Sequence, residues 1–208
     1  MKSFVSLLSF VLLLGAVGVS ARADTIGYDV IVDTSSVYGD YGYIEFQLDE
    51  AITGTVQPVT ATITDFAGDI SLNSTDSNDD EINASGLLPD SVTITDTTFS
   101  DYFEGLTFGD TLAFHVTLDG PGVSLDGGLS DPAGSTFALI FYDDEQSPLF
   151  ATNASALIVV AGSGTVTAVS DASNVQVVPE PSTPWLSAAA GLLAFAFVRM
   201  RRSAWRFR

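Results

Sequence analysis

Apolar residues return at every second position through most of this chain, and that period dictates the fold class. Ile26, Tyr28, Val30 and Val32 alternate with Gly27, Asp29, Ile31 and Asp33. Ile44, Phe46 and Leu48 alternate with Glu45, Gln47 and Asp49. The same beat runs through Val59, Ala61 and Ile63, through Val92 and Ile94, and through Leu112, Phe114, Val116 and Leu118. A period of two puts successive side chains on opposite faces of an extended chain, so these segments predict half-buried strands. Residues 137–142 and 156–160 are continuously apolar, as strands at the centre of a sandwich are. Turn signals separate the segments: Tyr38-Gly39-Asp40, Asp119-Gly120-Pro121-Gly122, Asp126-Gly127-Gly128 and Gly162-Ser163-Gly164. No stretch keeps a 3.6-residue period. Roughly nine to eleven short strands with regular turns predict an all-β fold, a β-sandwich with a jelly roll as one form of it. The polar stretch from Asn73 to Gly86 interrupts the pattern and predicts an exposed loop.

The chemistry available to hold such a sandwich is narrow. The seven basic residues are Lys2, Arg22, Arg199, Arg201, Arg202, Arg206 and Arg208, so none lies between Asp24 and Val178. That span holds 25 of the 26 acidic residues, and the whole chain carries −19 at pH 7. No Lys or Arg salt bridge can form inside it. Its carboxylates must be solvated, hydrogen-bonded or bound to cations. Nucleic acid is excluded as a partner, because phosphate binding needs a basic footprint. The chain has no cysteine, which excludes disulfides, thiolate metal sites and a Cys nucleophile. Its one histidine excludes multi-His zinc sites. The hydrophobic core must carry the stability.

The two ends have a different composition. Lys2 precedes an apolar run from Phe4 to Val19, and Ala21-Arg22-Ala23 is a small-x-small cleavage site. Residues 1–23 are thus expected to be a secretory signal peptide, cut by signal peptidase after Ala23 to leave Asp24 first. At the other end, Pro179-Glu180-Pro181 is followed by Pro184, 14 mostly apolar residues from Trp185 to Val198, and the basic cluster Arg199, Arg201 and Arg202. Those 14 residues span roughly 21 Å as a helix, against a ~30 Å hydrocarbon core. Flanking arginines can snorkel, so a single transmembrane helix is expected at about residues 184–200. The arginines would stop transfer and stay cytoplasmic. The expected organisation is a signal peptide (1–23), a β-sandwich extracellular domain (24–177) and a sorting segment (178–208).

Tripeptide, short helix and Arg-rich end together resemble the PEP-CTERM sorting signal of Gram-negative bacteria. The resemblance covers about 30 residues. It implies recognition by exosortase, a membrane-embedded processing enzyme, after transient anchorage in the inner membrane. Part of the middle also resembles a family of PEP-CTERM proteins with no assigned activity. The matching residues are Asp33-Thr34-Ser35-Ser36, Gly39, Gly42-Tyr43-Ile44-Glu45-Phe46-Gln47, Phe108-Gly109, Leu112-Ala113-Phe114, residues 134–139 and Tyr142-Asp143.

Candidate chemistry in the middle is sparse. Asp76-x-Asn78-x-Asp80 has the ligand spacing that opens an EF-hand loop. Glu81 stands where that loop needs Gly and Leu87 where it needs a bidentate Glu, so only a looser calcium site is open there, with a solvated acidic loop as the plainer reading. Asp143-Asp144-Glu145 offers either a second such cluster or a hairpin turn. His115 lies out of phase with Phe114 and Val116 and is expected to point outward. No Gly-x-Ser-x-Gly elbow supports a hydrolase. Tyr38, Tyr41 and Tyr43 are candidates for a sugar-stacking platform. The expected function is an exported cell-surface or extracellular-matrix (exopolysaccharide or biofilm) protein with a structural or interaction role and no catalysis or cofactor. The alternative is a polysaccharide-binding sandwich, assisted by calcium.

Overall fold

Inward-pointing apolar rows from two stacked antiparallel sheets build the interior of this protein. A computed structural model describes residues 25–51, 55–73, 82–96, 99–123, 132–162 and 165–180. In chain order the strands are β1 (Thr25–Asp33), β2 (Tyr41–Glu50), β3 (Thr55–Val56), β4 (Thr60–Gly68), β5 (Ser71–Leu72), β6 (Ala84–Leu87), β7 (Ser91–Thr95) and β8 (Phe99–Thr107). They continue as β9 (Thr111–Asp119), β10 (Pro132–Ala133), β11 (Ser135–Asp143), β12 (Pro148–Leu149), β13 (Ala156–Val160), β14 (Val166–Ser170) and β15 (Val175–Pro179). The first sheet has the order β15-β1-β9-β4-β7-β6. The second has the order β14-β13-β11-β2-β8-β5, with β12 beside β11. A small parallel pair joins β3 and β10. This is a β-sandwich, as the period-two reading predicts.

Each alternation predicted from sequence turns its apolar face inward. Val30 and Val32 of β1, Leu112, Val116 and Leu118 of β9, and Ile63 of β4 face Ile44, Phe46 and Leu48 of β2 and Phe137, Leu139 and Phe141 of β11, all at 3 % exposure or less. Burial of each such side chain contributes about 1.5–3 kcal/mol before entropy is counted. Aromatic rings cluster in the interior, and the Phe46–Phe114 pair spans the two sheets. Phe46 meets Phe114 edge-on at 5.2 Å and stacks with Tyr102 at 6.3 Å and Phe137 at 6.1 Å. β11 is covered on its outer face as well, where Ala138, Ile140 and Ala154 form a second small apolar cluster with Tyr142 and Leu157. That explains the unbroken apolar run in 137–142.

Three departures from the sequence expectation have physical reasons. β8 gave no alternation because its inward positions include Ser100 and Glu104, both buried. Ser100 Oγ donates to the Thr95 carbonyl at 2.7 Å, and Tyr102 Oη donates to Glu104 Oε2 at 2.7 Å. β4 continues past Thr64 through a register shift between Thr64 and Ala67, with Asp65 at φ 54°. The shift turns Phe66 inward although it is out of phase with Ile63. The end of the predicted loop, from Ala84 to Gly86, belongs to an edge strand, β6, paired with β7. Its side chains are almost all exposed, so it left no apolar signal. Among the described residues no helix is long and apolar enough to cross a membrane. The expected signal peptide and the helix at 184–200 lie outside the described residues.

Candidate functional site

The sandwich flows into the sorting tripeptide without a break. β15 runs antiparallel to β1, pairing Val175 with Val32 and, at its end, Pro179 with Tyr28. The next amide, Glu180 N–H, donates to the Gly27 carbonyl at 2.9 Å. Proline has no N–H to offer a ladder and is tolerated here because β15 is an edge strand. The strand therefore crosses the boundary expected between residues 177 and 178.

On the outer face of this sheet three titratable side chains converge. Asp29 lies opposite His115 in the β1–β9 ladder. The His115 Nδ1 to Asp29 Oδ1 distance is 3.0 Å, and Nδ1 to Glu180 Oε1 is 3.8 Å. His115 points outward as expected, but its side chain is only 16 % exposed, against 60 % for Asp29 and 53 % for Glu180. Gly27 makes the convergence possible. A Cβ there would lie 2.6 Å from Glu180 Oε2 and 2.9 Å from His115 Cε1 and Nε2. Positions 29, 115 and 180 are remote in sequence, and strand register alone brings them together, which no local spacing could reveal.

A second candidate surface lies on the outer face of the other sheet. Tyr43 of β2 stacks on Phe103 of β8 at 4.8 Å, Tyr41 meets Tyr43 edge-on at 5.3 Å, and Phe103 lies 5.8 Å from Tyr142 of β11. All four rings are half-buried. Beside them Glu45 accepts from Tyr142 Oη at 2.6 Å and from Gln47 Nε2 at 2.6 Å. Burial pushes the Tyr142 hydroxyl well above its ordinary value, and the hydrogen bond to Glu45 and its charge push the same way. Tyr38, expected to join this platform, is 61 % exposed in the turn before β2 and takes part in none of these ring pairs.

A third feature is a groove of about 490 Å³ lined by Asp49, Glu50, Ser135, Thr136 and the end of β13. Asp96 lies buried next to Ser135, whose hydroxyl donates to its Oδ2. Burial raises the Asp96 carboxyl to about 6 against the Ser135 hydrogen bond, with Glu50 and Asp49 adding to the rise. Asp49 is raised too, by burial and then by Glu45. Among the described residues Asp96 Oδ1 and Asp49 Oδ1 are buried without a hydrogen-bond partner.

With no lysine or arginine at hand, other carboxylates use local donors. Asp143 Oδ1 accepts from the Glu145 amide at 3.0 Å and the Ser147 amide at 2.8 Å, which makes residues 143–147 a hairpin turn between β11 and β12. Asp33 Oδ1 accepts from the Ser35 hydroxyl at 2.6 Å and the Ser35 amide at 3.0 Å, holding the carboxyl below its ordinary value. The calcium candidates Asp76, Asn78 and Asp80 lie outside the described residues. So do the cleavage residues Ala21 and Ala23, the motif's Pro181, and the stop residues Arg199, Arg201 and Arg202.

The PEP-CTERM protein-sorting motif model matches residues 177–202. It begins inside β15 and takes in the tripeptide, the apolar run and the first arginines. The chain thus carries the sorting motif, and with it the address of an exosortase-targeted, exported precursor. The resemblance noted in the middle of the chain finds no counterpart in this match. No curated protein and no solved structure matches the chain.

Proposed function

We propose that the chain is an exported, exosortase-processed β-sandwich that ends at the cell surface or in the extracellular matrix of a Gram-negative bacterium. There it plays a structural or interaction role and does no chemistry. The observation that carries this reading is the PEP-CTERM sorting motif matched at residues 177–202, which begins inside β15; Pro179 ends that strand and the Glu180 amide bonds to Gly27. The start of the address lies within the fold of its cargo, so an enzyme that cuts beyond it releases the sandwich. Fractionation of the native host tests this. With active exosortase the protein should leave the inner membrane for the surface or matrix fraction; with exosortase deleted it should stay in the inner membrane. Equal inner-membrane retention in both strains contradicts the proposal.

The half-buried ring cluster favours a second reading, a polysaccharide-binding sandwich. Tyr41, Tyr43, Phe103 and Tyr142 offer apolar ring surface beside the polar pair Glu45–Gln47 on an open sheet face, the mix that suits a sugar with polar edges and apolar faces. Retardation in gels containing the host's exopolysaccharide should fall strongly in Tyr43→Ala and Phe103→Ala. Chelation should weaken it further if calcium at Asp76, Asn78 and Asp80 assists. Unchanged mobility in both variants removes the ring face as the binding surface.

A further inference from the structure

We propose that Asp29, His115 and Glu180 form a binding site for a divalent transition-metal ion of the zinc class, and that the bound ion ties the sorting tripeptide to the sandwich. One imidazole nitrogen and two carboxylate oxygens are a donor set that suits zinc and its neighbours better than calcium or magnesium, which take oxygen alone. The three donors sit on one outer face of one sheet. They come from β1, from β9 and from the residue after β15. Their ligand atoms all lie within 4.8 Å of one another. A tetrahedral ion with bonds of about 2.0–2.2 Å holds its ligand atoms about 3.4 Å apart. The distances from His115 Nδ1, 3.0 Å to Asp29 and 3.8 Å to Glu180, bracket that value.

Two further observations point to a cation. At position 27 the sheet presents no side chain, and a Cβ would fill the space where ring and carboxylate meet. Two carboxylates also converge from positions between Arg22 and Arg199, a stretch whose sequence contains no lysine or arginine. Three protein ligands leave a fourth position for water. Glu180 is the middle residue of the tripeptide, and its amide is already bonded to Gly27. A metal bond from its carboxylate adds a second link, so an enzyme reading the tripeptide must break both.

His115 is the only histidine, so imidazole nitrogen NMR reports on this site alone. The test uses the full chain, purified in detergent without a histidine tag, with zinc titrated over excess magnesium to occupy solvated carboxylates. One equivalent of zinc should move the Nδ1 resonance to that of a metal-bound nitrogen. Changes in outer-shell residues alone cost about 10–100-fold in metal affinity, so Asp29→Asn and Glu180→Gln should each lose at least about tenfold. Gly27→Val should also weaken binding by forcing Glu180 and His115 apart. Asp29 is largely exposed, so Asp29→Asn keeps the test decisive if Gly27→Val folds poorly. An Nδ1 resonance that does not move, or one that moves with equal affinity in Asp29→Asn and Glu180→Gln, overturns the proposal and leaves a hydrogen-bonded His115–Asp29 pair.

Discussion

Phe46→Ala is expected to cost about 3–5 kcal/mol of folding stability, the range for emptying a large aromatic site in a packed core. Phe46 has no exposed surface; it meets Phe114 of the facing sheet edge-on and stacks with Tyr102 and Phe137 of its own sheet. Its removal strips three aromatic partners at once. No disulfide or Lys/Arg salt bridge backs up the core between Asp24 and Val178. Domains of this kind have about 5–15 kcal/mol in total, so the variant should sit near the edge of folding. Melting should fall by roughly 10–15 °C in a chain of this size. Phe99→Ala is the control: Phe99 is 41 % exposed, and surface changes stay within about 0.5 kcal/mol. Equal losses in the two variants contradict a core joined at Phe46.

Asp96→Asn is expected to stabilise the fold at neutral pH. The folded carboxyl titrates at about 6, raised chiefly by burial, while the unfolded group titrates near 3.9. Between those values the folded state holds a proton that the unfolded state has lost, so stability falls as pH rises. The penalty is absent below about pH 4, grows through pH 4–6 and is complete above it, at roughly 2–3 kcal/mol. Asparagine keeps an acceptor for the Ser135 hydroxyl and carries no charge to desolvate. Its melting temperature at pH 7 should exceed that of the parent by about 5–10 °C. The two proteins should converge near pH 4. Parallel curves across that range would show that Asp96 is solvated.

The strands that the sequence makes legible are those with uninterrupted alternation, β1, β2, β7, β9 and the first half of β4, where nothing polar enters the buried face, together with β11 and β13, read from their continuous apolar runs. β8 was illegible for the opposite reason. Ser100 and Glu104 point inward and are satisfied by Thr95 and Tyr102, a solution that exists only in three dimensions. The bulge in β4 hid Phe66 in the same way, by changing phase within a strand. The acid-only composition correctly announced that carboxylates would seek other partners, and Asp33 and Asp143 find them within a few residues. Asp29, His115 and Glu180 were not readable as a group. His115 was singled out for being alone and Glu180 for its tripeptide, but their meeting depends on β15 closing against β1 and on the gap at Gly27.

Intact mass of the protein recovered from a host with active exosortase is the most direct test of export and processing. The mature species should begin at Asp24 and lack residues 185–208, the apolar run and its arginines. The same strain without exosortase should yield a species that still ends at Arg208. A main product ending at Arg208 while exosortase is active would contradict the assignment of this chain as an exosortase substrate.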